Sequence, residues 1–240
     1  MPPFPGIPEK VLETLPPPPA AAVERLRRAV AAVADPPEGP LERLLDYGRL
    51  VLAANTRTNL TGARSWEALL DLHLLDCAEA VRFLPPGLGR IHDLGSGAGL
   101  PGLVWAILMP ETEFVLLERN GKKAAFLAEA AERLDLGGVE VVRAAAEEQL
   151  HHARPEALSA RAVEPLARLL ARLRRARLRP GHLFLFGGPR FAADWAALPG
   201  ELRAGFREPR LAEWRLPGPD GAERQRLLAW LRPAPEKGLS

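Results

Sequence analysis

An α/β fold built on a mostly parallel sheet is predicted by three features of this sequence. The first is the stretch Arg90-Ile91-His92-Asp93-Leu94-Gly95-Ser96-Gly97-Ala98-Gly99-Leu100-Pro101-Gly102, an apolar lead-in followed by an acid, a triple-glycine turn and a proline. Gly95, Gly97 and Gly99 let the backbone take positive φ and approach a ligand closely, and Pro101 suits the first turn of a helix. The second is the alternation that follows: strand 90–94, helix 100–109, strand 113–118, helix 121–135, strand 139–143. Strand, helix, strand implies parallel pairing. The third is the end of the chain, where two apolar stretches flank Pro217-Gly218-Pro219-Asp220-Gly221, the signature of a terminal hairpin.

The other elements follow in order. Residues 1–19 are dense in proline and end in Pro16-Pro17-Pro18-Pro19, which cannot donate backbone hydrogen bonds, so an extended or disordered tail is expected. Residues 20–34 read as a helix, with Val23, Leu26, Val30 and Val33 near helical spacing, stopped by Asp35-Pro36-Pro37. Helices are expected at 40–54 and 65–83, the second with Trp66, Leu69, Leu70, His73, Leu74 and Cys77 on one side. Together they make a helical cap over residues 20–85, ahead of a core at 86–232 and a tail at 233–240. Within the core, a short strand at 157–161, a helix at 164–179 and a strand at 182–186 complete the pattern.

A chain of 240 residues, 47% hydrophobic, supports one sizeable core. The formal charge is only +2, so any nucleic-acid contact must come from a local patch. A sole cysteine, Cys77, excludes an internal disulfide and a multi-cysteine zinc site, and no metal is expected. The first residues lack a basic and an apolar signal region, and no segment offers the roughly 18 apolar residues of a membrane span, so a cytoplasmic protein without a membrane partner is expected.

The glycine turn also spells GxGxxG, through Gly97, Gly99 and Gly102, the fingerprint of dinucleotide sites. Charge separates the two readings. A pyrophosphate on this turn would be repelled by Asp93, whereas S-adenosylmethionine brings a sulfonium and an ammonium that an acid attracts. Glu118, 19 residues past Gly99 at the end of Phe114-Val115-Leu116-Leu117, stands where an acceptor for ribose hydroxyls is expected. The bland alternative is an ordinary strand-to-helix turn with glycines for packing.

Several blocks in one order carry a resemblance. They are Asn59-Leu60-Thr61-Gly62, His73-Leu74-Leu75-Asp76, the stretch from Asp93 to Gly102, Glu118, Lys122-Lys123 with Phe126-Leu127, Ala146-Glu147-Glu148, and Arg161-Ala162-Val163-Glu164-Pro165-Leu166. Over residues 40–232 the chain resembles the bacterial glucose-inhibited division protein B family, the small-subunit ribosomal RNA guanine-N7 methyltransferases. The resemblance implies a class I methyltransferase sheet of seven strands, S-adenosylmethionine as cofactor, and 16S rRNA or the small ribosomal subunit as partner of a monomer. It further implies a cofactor site made of Asp93, Gly95, Ser96, Gly97, Gly99, Leu100, Glu118, Ala146, Glu147 and Arg161. Three positions depart from the family pattern: Gly187-Gly188-Pro189 replaces Lys-Gly-Pro, Arg224-Gln225-Arg226 lacks the family histidine, and Glu118 replaces aspartate.

Transfer to guanine N7 uses a lone pair already present on the ring, so no general base is required and none is visible. Cys77 precedes the first strand, which argues against a 5-methylcytosine enzyme, and Asp35-Pro36-Pro37-Glu38 is misplaced for an amino-directed one. Arg161 either contacts the target guanine or makes a sheet-end ion pair with Glu147 or Glu164. His73 reads as a satisfied structural histidine, with Asp76 one turn later to cap or pair with it. Candidate RNA contacts are Lys122, Lys123, Arg172, Arg174, Arg175 and Arg190; for the arginine run the alternative is a helix C-terminus favouring cations. Other readings from the same residues are a methyltransferase for another RNA or a small molecule, and a non-catalytic assembly factor.

Overall fold

The alternation of strand and helix after residue 90 produces the expected sheet. A computed structural model describes residues 4–150, 152–161, 164–218 and 222–235, though not the side chains of Ala146 and Glu147. Its strands are β1 (Arg90–Leu94), β2 (Glu113–Leu117), β3 (Val139–Val142), β4 (Ala157–Arg161), β5 (His182–Gly187), β6 (Arg210–Pro217) and β7 (Glu223–Leu231). They form a seven-stranded sheet in the order β3-β2-β1-β4-β5-β7-β6. The first five run parallel; β7 lies antiparallel to both β5 and β6, as a terminal hairpin requires.

This order fixes where a ligand can sit. From β1 the chain winds outward to β2 and β3, then returns to place β4 on the other side of β1. The crevice outside the carboxyl ends of β1 and β4 is therefore the switch point at which open α/β sheets bind ligands. The glycine turn leaves β1 at that end.

Both faces of the sheet are buried, so the strands read as near-continuous apolar runs. On one face Ile91, Phe114, Leu116 and Phe184 pack with α6 (Gly102–Leu108), α7 (Gly121–Arg133) and the N-terminal helices. On the other, Leu94, Leu117, Leu158 and Leu185 pack with α9 (Leu166–Arg175) and α10 (Phe191–Ala196). Every residue of α6 is buried. Gly102 makes that approach feasible: a Cβ there would collide with Leu116 Cδ2 and stand 2.9 Å from Asp93 Oδ2.

Several expected elements need correction. Within the proline-dense start, residues 9–14 form α1 (Glu9–Thr14), Ile7 is buried, and Phe4 stands edge-on to Phe126 at 6.3 Å. Apolar residues between the prolines anchor it, and a proline keeps its carbonyl: Trp66 Nε1 donates to Pro16 O at 2.7 Å. The cap helices are α2 (Ala20–Ala31) and α3 (Glu38–Asn55), the latter admitting Pro40 in its first turn.

The helix expected at 65–83 is three pieces: α4 (Trp66–Leu69), a π-helical turn (Leu70–Leu74) and α5 (Leu75–Val81). A foreign donor interrupts the ladder there, because Arg161 Nη2 donates to Leu72 O at 2.9 Å. Outside, Arg25 grips Asp71 of the same turn through two bonds of 3.0 and 2.7 Å. The helix expected at 164–179 is shorter, since Pro165 precedes α9 and Arg177 turns the chain with φ 52°. Two short helices past β5, α10 and α11 (Gly200–Arg203), lacked a periodic signal long enough to announce them. The tail at 233–240 is described only to residue 235.

Candidate functional site

The site begins with the glycine turn. The N–H groups of Gly95 and Ser96 donate to Leu117 O at 2.9 and 3.2 Å, tying the turn to the end of β2. Gly95, Gly97 and Gly99 hold φ of 66°, 60° and 96°, in the region that disfavours side chains. Glu118, just past β2, accepts from Gly97 N at 2.9 Å through Oε2 and from Asn120 N at 2.7 Å through Oε1. Asn120 in turn caps α7 by accepting from the N–H groups of Lys122 and Lys123 at 3.0 and 3.3 Å. From the cap side, Tyr47 Oη of α3 donates to Ala98 O at 2.7 Å.

Asp93 lies under this turn at 1% exposure. In register with it across β1 and β4 is Ser159, whose hydroxyl donates to Asp93 Oδ1 at 2.8 Å. Oδ2 makes no hydrogen bond of normal geometry. Burial pushes the carboxyl up to about 6, opposed by the Ser159 and Ser96 hydroxyls, the Gly102 peptide N–H and the Arg161 charge. A buried acid short of partners is a preformed place for positive charge.

Arg161 ends β4 and points toward the cap. Its Nη2 alone donates to Leu72 O at 2.9 Å, faces His73 Nδ1 at 3.0 Å and reaches Asp76 Oδ2 at 3.1 Å. The Phe186 ring lies beneath the guanidinium, 5.6 Å from its carbon. Among the described residues its ion partner is thus Asp76, whereas Glu164 is taken by Arg172 at 2.7 Å; the expected partner Glu147 has a side chain outside the described residues. His73 and Asp76 do not bond each other as expected but converge on the same arginine, because the π turn carries both toward β4. Burial, with the Arg161 and Arg226 charges, lowers His73 to about 4, so the ring is neutral near pH 7.

The remaining sequence candidates divide between the two ends of the sheet. Leu100 and Ser96 are buried within the turn. The side chains of Ala146 and Glu147 lie outside the described residues. Lys122 and Lys123 open α7 beside Glu118, and Arg190, 89% exposed near Asp194, follows β5 at the same end. Arg174 pairs with Glu201 and lines a cavity of about 1120 Å³ shared with Glu156 and His182, at the amino ends of β4 and β5. Arg174 and Arg175 therefore stand away from the turn, because α9 runs antiparallel to the strands. A smaller cavity of about 210 Å³ lies at the carboxyl ends of β4 and β5, between Glu164, Phe186, Gly188 and Arg190.

Sequence reasoning missed Tyr47 and Ser159, and named Arg226 only within a departure from the family pattern, with no role. Ser159 was findable as a hydroxyl among the apolar residues that lead to Arg161; Tyr47 carried no signal short of the fold. Among the described residues, no group of three or more His, Cys, Asp or Glu could hold a metal, and no helix is long and apolar enough to cross a membrane.

Comparison with known proteins now bears on this geometry. The family profile of rRNA small subunit methyltransferase G matches residues 40–203. The chain belongs to this family. Relatives named ribosomal RNA small subunit methyltransferase G include that of Halorhodospira halophila, 41% identical over 162 residues, covering 68% of this chain and 76% of the relative. That of Dichelobacter nodosus is 42% identical over 147 residues, covering 61% and 69%. Among solved structures, a point mutant of MtNAS in complex with S-adenosylmethionine aligns with a TM-score of 0.52 at 16% identity, over 83% of this chain and 79% of that one. That likeness concerns the fold, a class I methyltransferase sheet, which the methyltransferase G family membership also requires.

Proposed function

We propose that this protein transfers the methyl group of S-adenosylmethionine to N7 of a guanine in 16S rRNA of the small ribosomal subunit. The observation that carries the reading is the buried, underbonded Asp93 beneath three positive-φ glycines at the sheet's switch point. Such a site attracts a cation and repels a pyrophosphate. Membership in the methyltransferase G family supports the acceptor.

The residues present fit that cofactor. A Cβ on Gly97 would meet only Gly95 O, at 3.7 Å, so the turn keeps an open cradle on that side. Gly95, Ser96, Gly99 and Leu100 offer backbone to it, and Asp93 supplies the negative field for the ammonium and sulfonium. Glu118 spends one lone pair of each oxygen on a backbone N–H and keeps others for ribose hydroxyls. The family resemblance assigns the adenine side to Ala146 and Glu147.

The bound cofactor supplies an electrophilic methyl on a sulfonium. This chain's work is then to hold the acceptor in line and exclude water, a contribution of up to roughly 7–11 kcal/mol. No proton has to move at N7, so the reading asks for no general base. Arg161 directs Nη2 to the cap, and its Nε and Nη1 make no hydrogen bond among the described residues. Those donors suit guanine O6; a bond to N7 would occupy the attacking lone pair. Lys122, Lys123 and Arg190, at the cofactor end, are the phosphate contacts of this reading.

The test is a comparison of 16S rRNA from wild-type and deletion strains, with N7-methylguanosine mapped by chemical cleavage and mass spectrometry. One mark should vanish on deletion and return with the wild-type gene but not with Gly97→Asp. Aspartate tolerates positive φ and has space there, so that variant should fold while blocking the cradle. An rRNA unchanged by deletion would sink the reading.

A further inference from the structure

The polar cluster between the π turn and the strand ends has an arrangement that cofactor binding does not require. Asp76 is 3% exposed and faces two arginines from different strands. Its Oδ2 holds Arg161 of β4 at 3.1 Å; its Oδ1 stands 3.7 Å from Nε of Arg226 of β7. That second contact is an ion pair without a hydrogen bond: Asp76 Oδ1, Arg226 Nε and Nε1 of Trp214, in register with Arg226 on β6, are all buried without a hydrogen-bond partner. A carboxylate oxygen and two donors left without hydrogen bonds are costly in a packed interior and call for an explanation.

His73 works in the same direction. Arg161 Nη2 can only donate, so His73 Nδ1 accepts, and the neutral ring carries its proton on Nε2, which meets Thr61 Oγ1 at 3.2 Å. The histidine tautomer is thereby fixed from the Asn59–Gly62 loop, and one guanidinium nitrogen, Nη2, is shared by three acceptors of the cap, Leu72 O, His73 Nδ1 and Asp76 Oδ2. π turns concentrate at functional sites because they redirect side chains in this way.

We propose that Asp76 and His73 are positioning residues for the methyl-acceptor site: they aim the Arg161 fork from the π turn, and Asp76 couples it to Arg226 of the terminal hairpin. This rests on the reading that Arg161 faces the target guanine.

The test uses the full-length protein with small subunits from a deletion strain as acceptor and S-adenosylmethionine titrated separately by calorimetry. Asp76→Asn should lower kcat at least tenfold while leaving the cofactor Kd within twofold. The double variant Asp76→Asn/Arg161→Ala should be no slower than Arg161→Ala alone, because the residues act through one fork. Should Asp76→Asn not fold, His73 carries the same test: His73→Asn, with an amide oxygen near the Nδ1 position, should retain most of kcat, and His73→Leu should lose it to the same floor as Arg161→Ala. Multiplicative losses in the double variant, or equal kcat for His73→Asn and His73→Leu, overturn this inference alone. Wild-type kcat in Arg161→Ala overturns it together with the role given to Arg161.

Discussion

Tyr47 Oη, on the cap helix α3, donates 2.7 Å to Ala98 O, at the crest of the glycine turn. Tyr47 is fully buried, and burial raises its phenol well above the ordinary value, so it remains a donor at any physiological pH. The cap therefore does more than cover the sheet; it sets the height of the cofactor loop. Tyr47→Phe leaves a buried carbonyl unsatisfied and should cost about 1–3 kcal/mol of stability. It should also weaken S-adenosylmethionine binding, since the turn loses an anchor. Thermal melting and calorimetry check both, and unchanged cofactor affinity would separate cap from loop.

With the role proposed for Asp93, affinity for S-adenosylmethionine should depend on pH with a definite sign. Its folded pKa, about 6, lies above the ordinary value of 3.8, so the ligand-free fold gains from the neutral form at low pH and loses that gain as pH rises through 6. A cationic cofactor favours the ionised form. Affinity should fall as pH drops below about 6, by up to about tenfold per pH unit. Asp93→Asn should flatten that profile and weaken binding at pH 7.5, yet raise the ligand-free melting temperature at pH 8. A variant that lost stability at pH 8 would contradict the burial argument.

Gly102 and Gly39 should respond oppositely to the same change. Gly102→Ala drives a methyl into Leu116 Cδ2 and presses on Asp93, so overpacking of about 1–3 kcal/mol is expected. Gly39, in the first turn of α3, has nothing within 4 Å of a built Cβ. Gly39→Ala should be neutral or stabilising by up to about 1 kcal/mol. Denaturant unfolding of the two variants gives the comparison.

These contrasts mark what the residues alone could reveal. The sheet was legible because strand burial, glycine turns and helix starts are local: β1, the turn, α6 and β2 each stand where Arg90 to Glu118 put them. The placing of Asp93 and Glu118 beside the glycine turn was legible because each stands at the end of a strand next to it. Arg161 was singled out, but its pairing with Asp76 was not legible, because Asp76 is 85 residues away and meets it only once the π turn lies against the end of β4. The proline-rich start misled because proline removes donors while Phe4 and Ile7 still bury apolar surface.

The basic residues offer a prediction of place. Lys122, Lys123 and Arg190 share the cofactor end of the sheet, whereas Arg174 and Arg175 sit where α9 has descended toward the opposite end. If rRNA is gripped around the reacting base, the Lys122→Ala/Lys123→Ala pair should raise the KM for small subunits and reduce the salt slope of binding by about 1 per lost phosphate contact. Arg174→Ala/Arg175→Ala should change neither, since Arg174 is engaged with Glu201 at 2.9 Å and both lie beyond reach of that end. Binding measured from 50 to 200 mM salt distinguishes the pairs. A salt slope lost with the α9 pair instead would mean that RNA wraps the far end of the sheet, with the arginine run as its contact.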